Sequence, residues 1–277
     1  MDSDPRRQPG PIVVGVDGSP SALMAVRWAA REAAFTGSGL RLVHVLTTSA
    51  GRAESLMRAA ESVARRTHQG LAIESATIGS PARTTLLRES RTAALIVFGA
   101  SGHGPLLGPA AITLSLRGGC PVVVVRDAIP ETGPVVVGVN DWADCAAAAR
   151  FAFQRAALYG TGVTAVRAWA APATPDTMAI RSKEHAALAA ELSTLADEFA
   201  DIPVKHVLVR GRAGGVLLDY GERARLIVVG PHGRAGFPGV AAGSATGQWG
   251  SGLACPIAIV PTEASPGPAA GAARTGP

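Results

Sequence analysis

The sequence predicts an α/β chain of two tandem doubly wound domains, each a mostly parallel five-stranded sheet with helices on both faces. Three observations lead there. Apolar runs such as IVVGV (Ile12–Val16) and VVVGV (Val135–Val139) are continuous, not alternating, as in strands covered on both faces. They alternate with Ala-rich helical stretches, which implies right-handed crossovers over a parallel sheet. Finally, Pro11–Leu46 aligns without a gap on Pro134–Trp169 at a constant offset of 123 residues, placing Gly15 on Gly138, Arg27 on Arg150 and Gly37 on Gly160. So long a period means tandem domains, not a solenoid.

Each half then reads in the same order. Strand one (IVVGV or VVVGV) leads into an amphipathic helix that should stop near Gly37 or Gly160, where glycine closes a helix. Strand two is LRLVHVL or VTAVRAW, followed by helices expected over Ala53–Arg66 and Ala179–Ala200. A third strand and its helix lie in ESATIGSPARTTLLRES and VKHVLVRGRAGGVLLDYGERA. Strand four is ALIVFG or RLIVVG and carries a glycine-rich loop. Strand five follows a Cys-Pro pair in CPVVVV (Cys120–Val125) and CPIAIV (Cys255–Val260). The domains are expected at residues 11–128 and 134–262, joined by RDAIPETG. Residues 1–10 and the Pro/Gly/Ala tail 263–277 are expected to be disordered.

Composition narrows the class. At 277 residues, 47% hydrophobic and 17% charged, the chain can bury a sizeable core. No apolar run reaches the roughly 20 residues that cross a bilayer, and the charged start MDSDPRRQPG has no apolar h-region of a secretory signal, so a cytoplasmic protein is expected. The net charge of +5 rests on scattered arginines, which favours a solvated basic surface over a nucleic-acid face. Three cysteines without CxxC or Cys/His spacing make a structural zinc site or a disulfide framework unexpected.

The loop after strand four of the second half, GPHGRAGFPGVAAGS (Gly230–Ser244), holds five glycines. Glycine lets backbone approach phosphate oxygens, and the following helix N-terminus favours an anion. Ser244 is placed to cap that helix or to donate to a ligand. On composition alone a surface loop remains open beside a phosphate cradle. The spacing Gly230-x2-Gly233-x9-Gly243-Ser244, the strand endings VGVD and VGVN, the repeat and the Cys-Pro pairs together resemble the universal stress protein family, over almost the whole chain. The GxxxxGK[ST] phosphate loop is absent.

The resemblance implies an adenine-nucleotide site, with ATP, alone or with magnesium, as its occupant. The loop would hold ribose and phosphates, the acidic residue ending strand one the nucleoside, and backbone at the end of strand two the adenine. Carried onto this chain, the second-half site is Val139, Asn140, Ala168, Gly230, Gly233, Gly243, Ser244 and Ala245. Its first-half counterpart is Asp17, Val45, Gly99 and Gly102. Each half departs from the pattern. The second has the full loop but Asn140 where the first has Asp17, giving an uncharged and therefore weaker acceptor. The first has the aspartate but a loop short by four residues, since Gly99 precedes Cys120 by 21 residues and Gly230 precedes Cys255 by 25. Gly108-Pro109 then stands where Gly243-Ser244 stands, and proline offers neither hydroxyl nor N–H. The second half is the expected main site.

Other side chains keep two readings open. His232, His103 and Arg234 could touch phosphate or simply belong to the loops. His44, whose repeat counterpart is Arg167, reads as a core histidine. Cys120 and Cys255 read as core packing before redox sensing. Trp142 and Trp169 could stack on adenine or pack against the fold. No nucleophile–base order, paired carboxylates or Asp-rich cluster is recognisable, so a binding or regulatory module is expected, with a slow ATPase or nucleotide-dependent transferase, or a non-binding scaffold, as alternatives. In the family the last strand pairs with that of another domain. PVVVV and PIAIV could therefore join within this chain or in a homodimer.

Overall fold

The computed structural model describes residues 10–45, 50–79, 81–100, 113–114, 117–126, 129–169, 177–231 and 255–262. The tail 263–277 and nearly all of the N-terminal ten residues, both expected to be disordered, lie outside that range. The first half runs β1 (Ile12–Gly15), α1 (Pro20–Thr36), β2 (Leu40–Val45), α2 (Ala50–Thr67), β3 (Ile73–Ile78), α3 (Ala82–Glu89), β4 (Leu95–Gly99) and β5 (Val122–Val125). The second runs β6 (Val135–Gly138), α4 (Trp142–Tyr159), β7 (Val163–Trp169), α5 (Thr177–Glu198), β8 (Val204–Arg210), α6 (Ala213–Gly221), β9 (Leu226–Val229) and β10 (Ile257–Ile259).

Local chemistry sets the ends of the leading helices. The Ser19 hydroxyl accepts from the Ala22 N–H at 3.1 Å and Pro20 opens α1, while Asp141 caps α4 by accepting from the Ala143 N–H at 3.1 Å. Both helices stop where expected, on Gly37 and Gly160 in the left-handed conformation. The second helix of each half begins a little earlier than its periodicity suggested, at Ala50 and Thr177.

One ten-stranded sheet spans the molecule in the order β3-β2-β1-β4-β5-β10-β9-β6-β7-β8. Within each half every neighbouring pair is parallel. The halves meet through the antiparallel pair β5–β10, with Val122 opposite Ile259, Val123 opposite Ala258 and Val124 opposite Ile257. Superposing CPVVVV on CPIAIV puts Val123 on Ala258, so the rung is centred on two equivalent residues. A pseudo-two-fold axis passes between them.

The two faces of the sheet are filled differently. On one, α1, α2, α4 and α5 cover a single apolar cluster that crosses the seam, including Val14, Leu42, Val123, Val137, Phe153 and Ala258. On the other face a cluster around Leu217 and Ile227 also takes in Ala100 and Val124 of the first half, while a second cluster around Leu86 and Ile96 stays within the first half. Burying one such side chain contributes roughly 1.5–3 kcal/mol, so the shared cluster helps to hold the halves together.

Candidate functional site

In an open α/β sheet a crevice forms beyond the carboxyl ends of the strands where the strand order reverses. Here β1 lies between β2 and β4, and β6 lies between β7 and β9, which sets one mouth in each half.

The first mouth holds a cleft of about 250 Å³ lined by, among others, Gly15, Asp17, Val45, Leu86, Phe98 and Gly99. Three of the first-half residues expected from the sequence thus share one cavity. Its size falls just below the roughly 300–1,000 Å³ usual for small-molecule sites. Gly99 has a packing reason to be glycine, because a Cβ there would stand 2.2 Å from the Ser21 carbonyl at the start of α1. Asp17 is exposed, and its Oδ1 accepts from the Ser19 N–H at 2.9 Å. Gly18 between them has φ +85°, which lets the chain turn sharply from strand into helix. His44 is buried and its Nδ1 lies 2.7 Å from the Val16 carbonyl. A carbonyl only accepts, so Nδ1 carries the proton. Nε2 has no partner among the described residues.

The second mouth is built on the same registers with different side chains. Val139 is buried and its N–H donates to the Val166 carbonyl at 2.9 Å, as Val16 does to Val43 at 2.9 Å. Asn140 is exposed, and its backbone N–H points at the Cys145 sulfur, 3.5 Å away. Asp141 faces none of this, because its carboxylate caps α4. Ala168 is half-buried and pairs with Val209, while Gly230 is buried just beyond β9. Arg167, the counterpart of His44, is buried yet fully engaged. Its Nη2 donates to the Asn140 carbonyl at 3.1 Å and to Glu191, its Nε to the Val139 carbonyl at 3.5 Å, and its Nη1 to Glu184 at 3.4 Å. One guanidinium thus braces the turn carrying Asn140 and ties it to α5. In the sequence Arg167 stands out only as the counterpart of His44; an arginine inside an apolar strand, before a helix bearing Glu184 and Glu191, is the signal that marks it.

Gly102, His103 and Pro109 of the first loop, and His232, Gly233, Arg234, Gly243, Ser244 and Ala245 of the second, lie outside the described residues. Trp142, expected either at the ligand or in the fold, packs against the core from the first turn of α4. Trp169 is half-buried at the end of β7. Cys120, Cys145 and Cys255 are buried, free thiols. Desolvation pushes Cys120 and Cys255 up to about 12 and raises Cys145, so these thiols stay protonated and inert at neutral pH. Among the described residues no three His, Cys, Asp or Glu side chains converge on a metal position, and no helix is long and apolar enough to cross a membrane.

Two doubly wound halves, each with a mouth at its topological switch point and joined last strand to last strand, define a tandem α/β protein. The chain belongs to the universal stress protein family, whose model matches residues 10–126 and again 131–261. It is 32% identical over 278 aligned residues to universal stress protein Rv2005c of Mycobacterium tuberculosis, covering 87% of this chain and 93% of that one. Against universal stress protein Rv1996 of the same species it is 33% identical over 282 residues, covering 84% and 89%. Among solved structures, a universal stress protein from Archaeoglobus fulgidus shares the fold with a TM-score of 0.64 at 14% identity, over 92% of this chain and all of that one.

Proposed function

We propose that this protein is a cytoplasmic adenine-nucleotide-binding module in which ATP, with or without magnesium, occupies the second mouth. Gly230, Gly233, Gly243, Ser244 and Ala245 hold its phosphates, and Val139, Asn140 and Ala168 its nucleoside. The observation that carries this is the placement of Val139, Asn140, Ala168 and Gly230 around one switch point, at the registers where Asp17, Val45 and Gly99 line a cavity in the first half. Bound nucleotide biases conformation or partner choice, since no base–nucleophile pair stands at either mouth among the described residues. The cleft beside Asp17 supports a second reading, in which the first half takes the nucleoside and its shorter loop limits phosphate contact.

Calorimetry with ATP on the wild type, Gly243→Val and Gly102→Val separates the two. Loss of binding in Gly243→Val alone is the expected outcome, and loss in Gly102→Val alone moves the site to the first half. No heat and no ATP-dependent rise in melting temperature in the wild type leaves the chain a scaffold. Sustained ADP release that disappears in Ser244→Ala makes it a slow ATPase.

A further inference from the structure

Two residues from equivalent positions of the repeat touch each other across the seam. The offset of 123 places Glu32 of α1 on Arg155 of α4. Arg155 Nη1 stands 2.9 Å from Glu32 Oε1, and the two residues are only 8% and 2% exposed. The Tyr159 hydroxyl donates to Glu32 Oε2 at 2.7 Å, and the Arg155 guanidinium lies 4.5 Å from the centre of the Phe151 ring. Arg225 covers the Tyr159 ring at 4.0 Å, with the Phe35 ring packed edge-on at 5.6 Å. Equivalent residues that meet must straddle the two-fold relating them. The pair therefore sits on the axis that crosses the sheet between Val123 and Ala258.

Symmetry dictates what any other pairing would meet there. Two first halves joined by the same rung would oppose Glu32 to Glu32, and two second halves Arg155 to Arg155. A buried charge facing its like is strongly unfavourable. The rung itself offers no such choice, because Val122–Val125 and Ile257–Ile259 are uniformly apolar strands. The first half is also complete before the second is synthesised, with β5 and the seam face of α1 open to other chains.

We propose that Glu32 and Arg155 form a charge key by which the seam accepts only unlike halves. The partner that fits β5 and α1 is a second half, of this chain or of another copy, and never another first half.

The test uses full-length chains. Glu32→Arg and Arg155→Glu each place like charges on the axis, and each is expected to lower the melting temperature by on the order of 10 °C. The double exchange E32R/R155E restores opposite charges and should recover most of that loss. Refolded together, the two single variants complement one another and should yield a 1:1 heterodimer by size exclusion with light scattering, which neither gives alone. This readout holds even where a single variant fails to fold by itself. A mixture that gives only what the two variants give apart overturns the proposal, even if the double exchange recovers stability, because the pair would then be a local contact without a say in partner choice. Single variants as stable as the wild type overturn it too.

Discussion

At the first mouth His44 gives one ring nitrogen to one carbonyl, whereas at the second Arg167 gives three nitrogens to two carbonyls and two carboxylates. The same register position therefore anchors one turn lightly and the other to a neighbouring helix. The turns themselves diverge in step. The first passes through Gly18 at positive φ to a serine cap, while the second uses an extended Asp141 as the cap, one position earlier in the repeat. Duplicated halves have kept the strands and reassigned the side chains at their ends, so the two mouths are not copies of one site.

The sharpest break in that contrast comes from removing the two anchors. Arg167→Met strands Glu191 and two carbonyls and should destabilise the fold by about 3 kcal/mol, against about 1 kcal/mol for His44→Leu. Chemical denaturation of both variants measures the gap, and equal losses would erase the distinction drawn here. Next in size is the turn. Gly18→Ala forces a side chain into the left-handed region and should lose roughly 1–2 kcal/mol, while Asp141→Gly loses only a few tenths because glycine caps nearly as well. Exchanging the acceptors comes third. Asn140→Asp should tighten ATP binding about five- to tenfold, the difference between a charged and a neutral hydrogen bond, and Asp17→Asn should leave that binding unchanged. Calorimetry reads both.

The smallest effect is a pH dependence confined to the second half. His206 on β8 is held below the usual histidine range by burial and then by His185, whose ring centre is 6.0 Å away, and the first half carries Ser75 at that register. The folded state resists protonating His206 more than the unfolded state does, so its contribution is intact above about pH 6.5 and declines as pH falls through that value. His206→Ser should flatten the acid side of the melting-temperature profile slightly, and an unchanged profile would assign the decline elsewhere.

Much of this was legible in the residues. Continuous Val/Ile runs marked the strands because both faces are covered, and Gly37 and Gly160 marked the helix stops because the left-handed cap there favours glycine. The Cys-Pro pairs aligned the last strands, and the family resemblance implied that these strands pair; their antiparallel direction came from the structure. What escaped was anything decided across long separations. Arg167 finds Glu184 and Glu191 only once β7 and α5 are packed. Glu32 and Arg155 look like ordinary surface charges until the axis between them is known, although the alignment already set one upon the other. Gly99, chosen for its place in a loop spacing, also answers to the backbone of α1, a neighbour that no local pattern announces.

The antiparallel rung has a directional consequence. Every strand of the first half runs with β5 and every strand of the second with β10, so the strand ends of the two halves point to opposite edges of the sheet. The two mouths open back to back, so no single small molecule can bridge them. Coupling between them would run through strands β1, β4, β5, β10, β9 and β6, the three residue pairs of the central rung, and the apolar cluster and Glu32–Arg155 pair that also cross the seam.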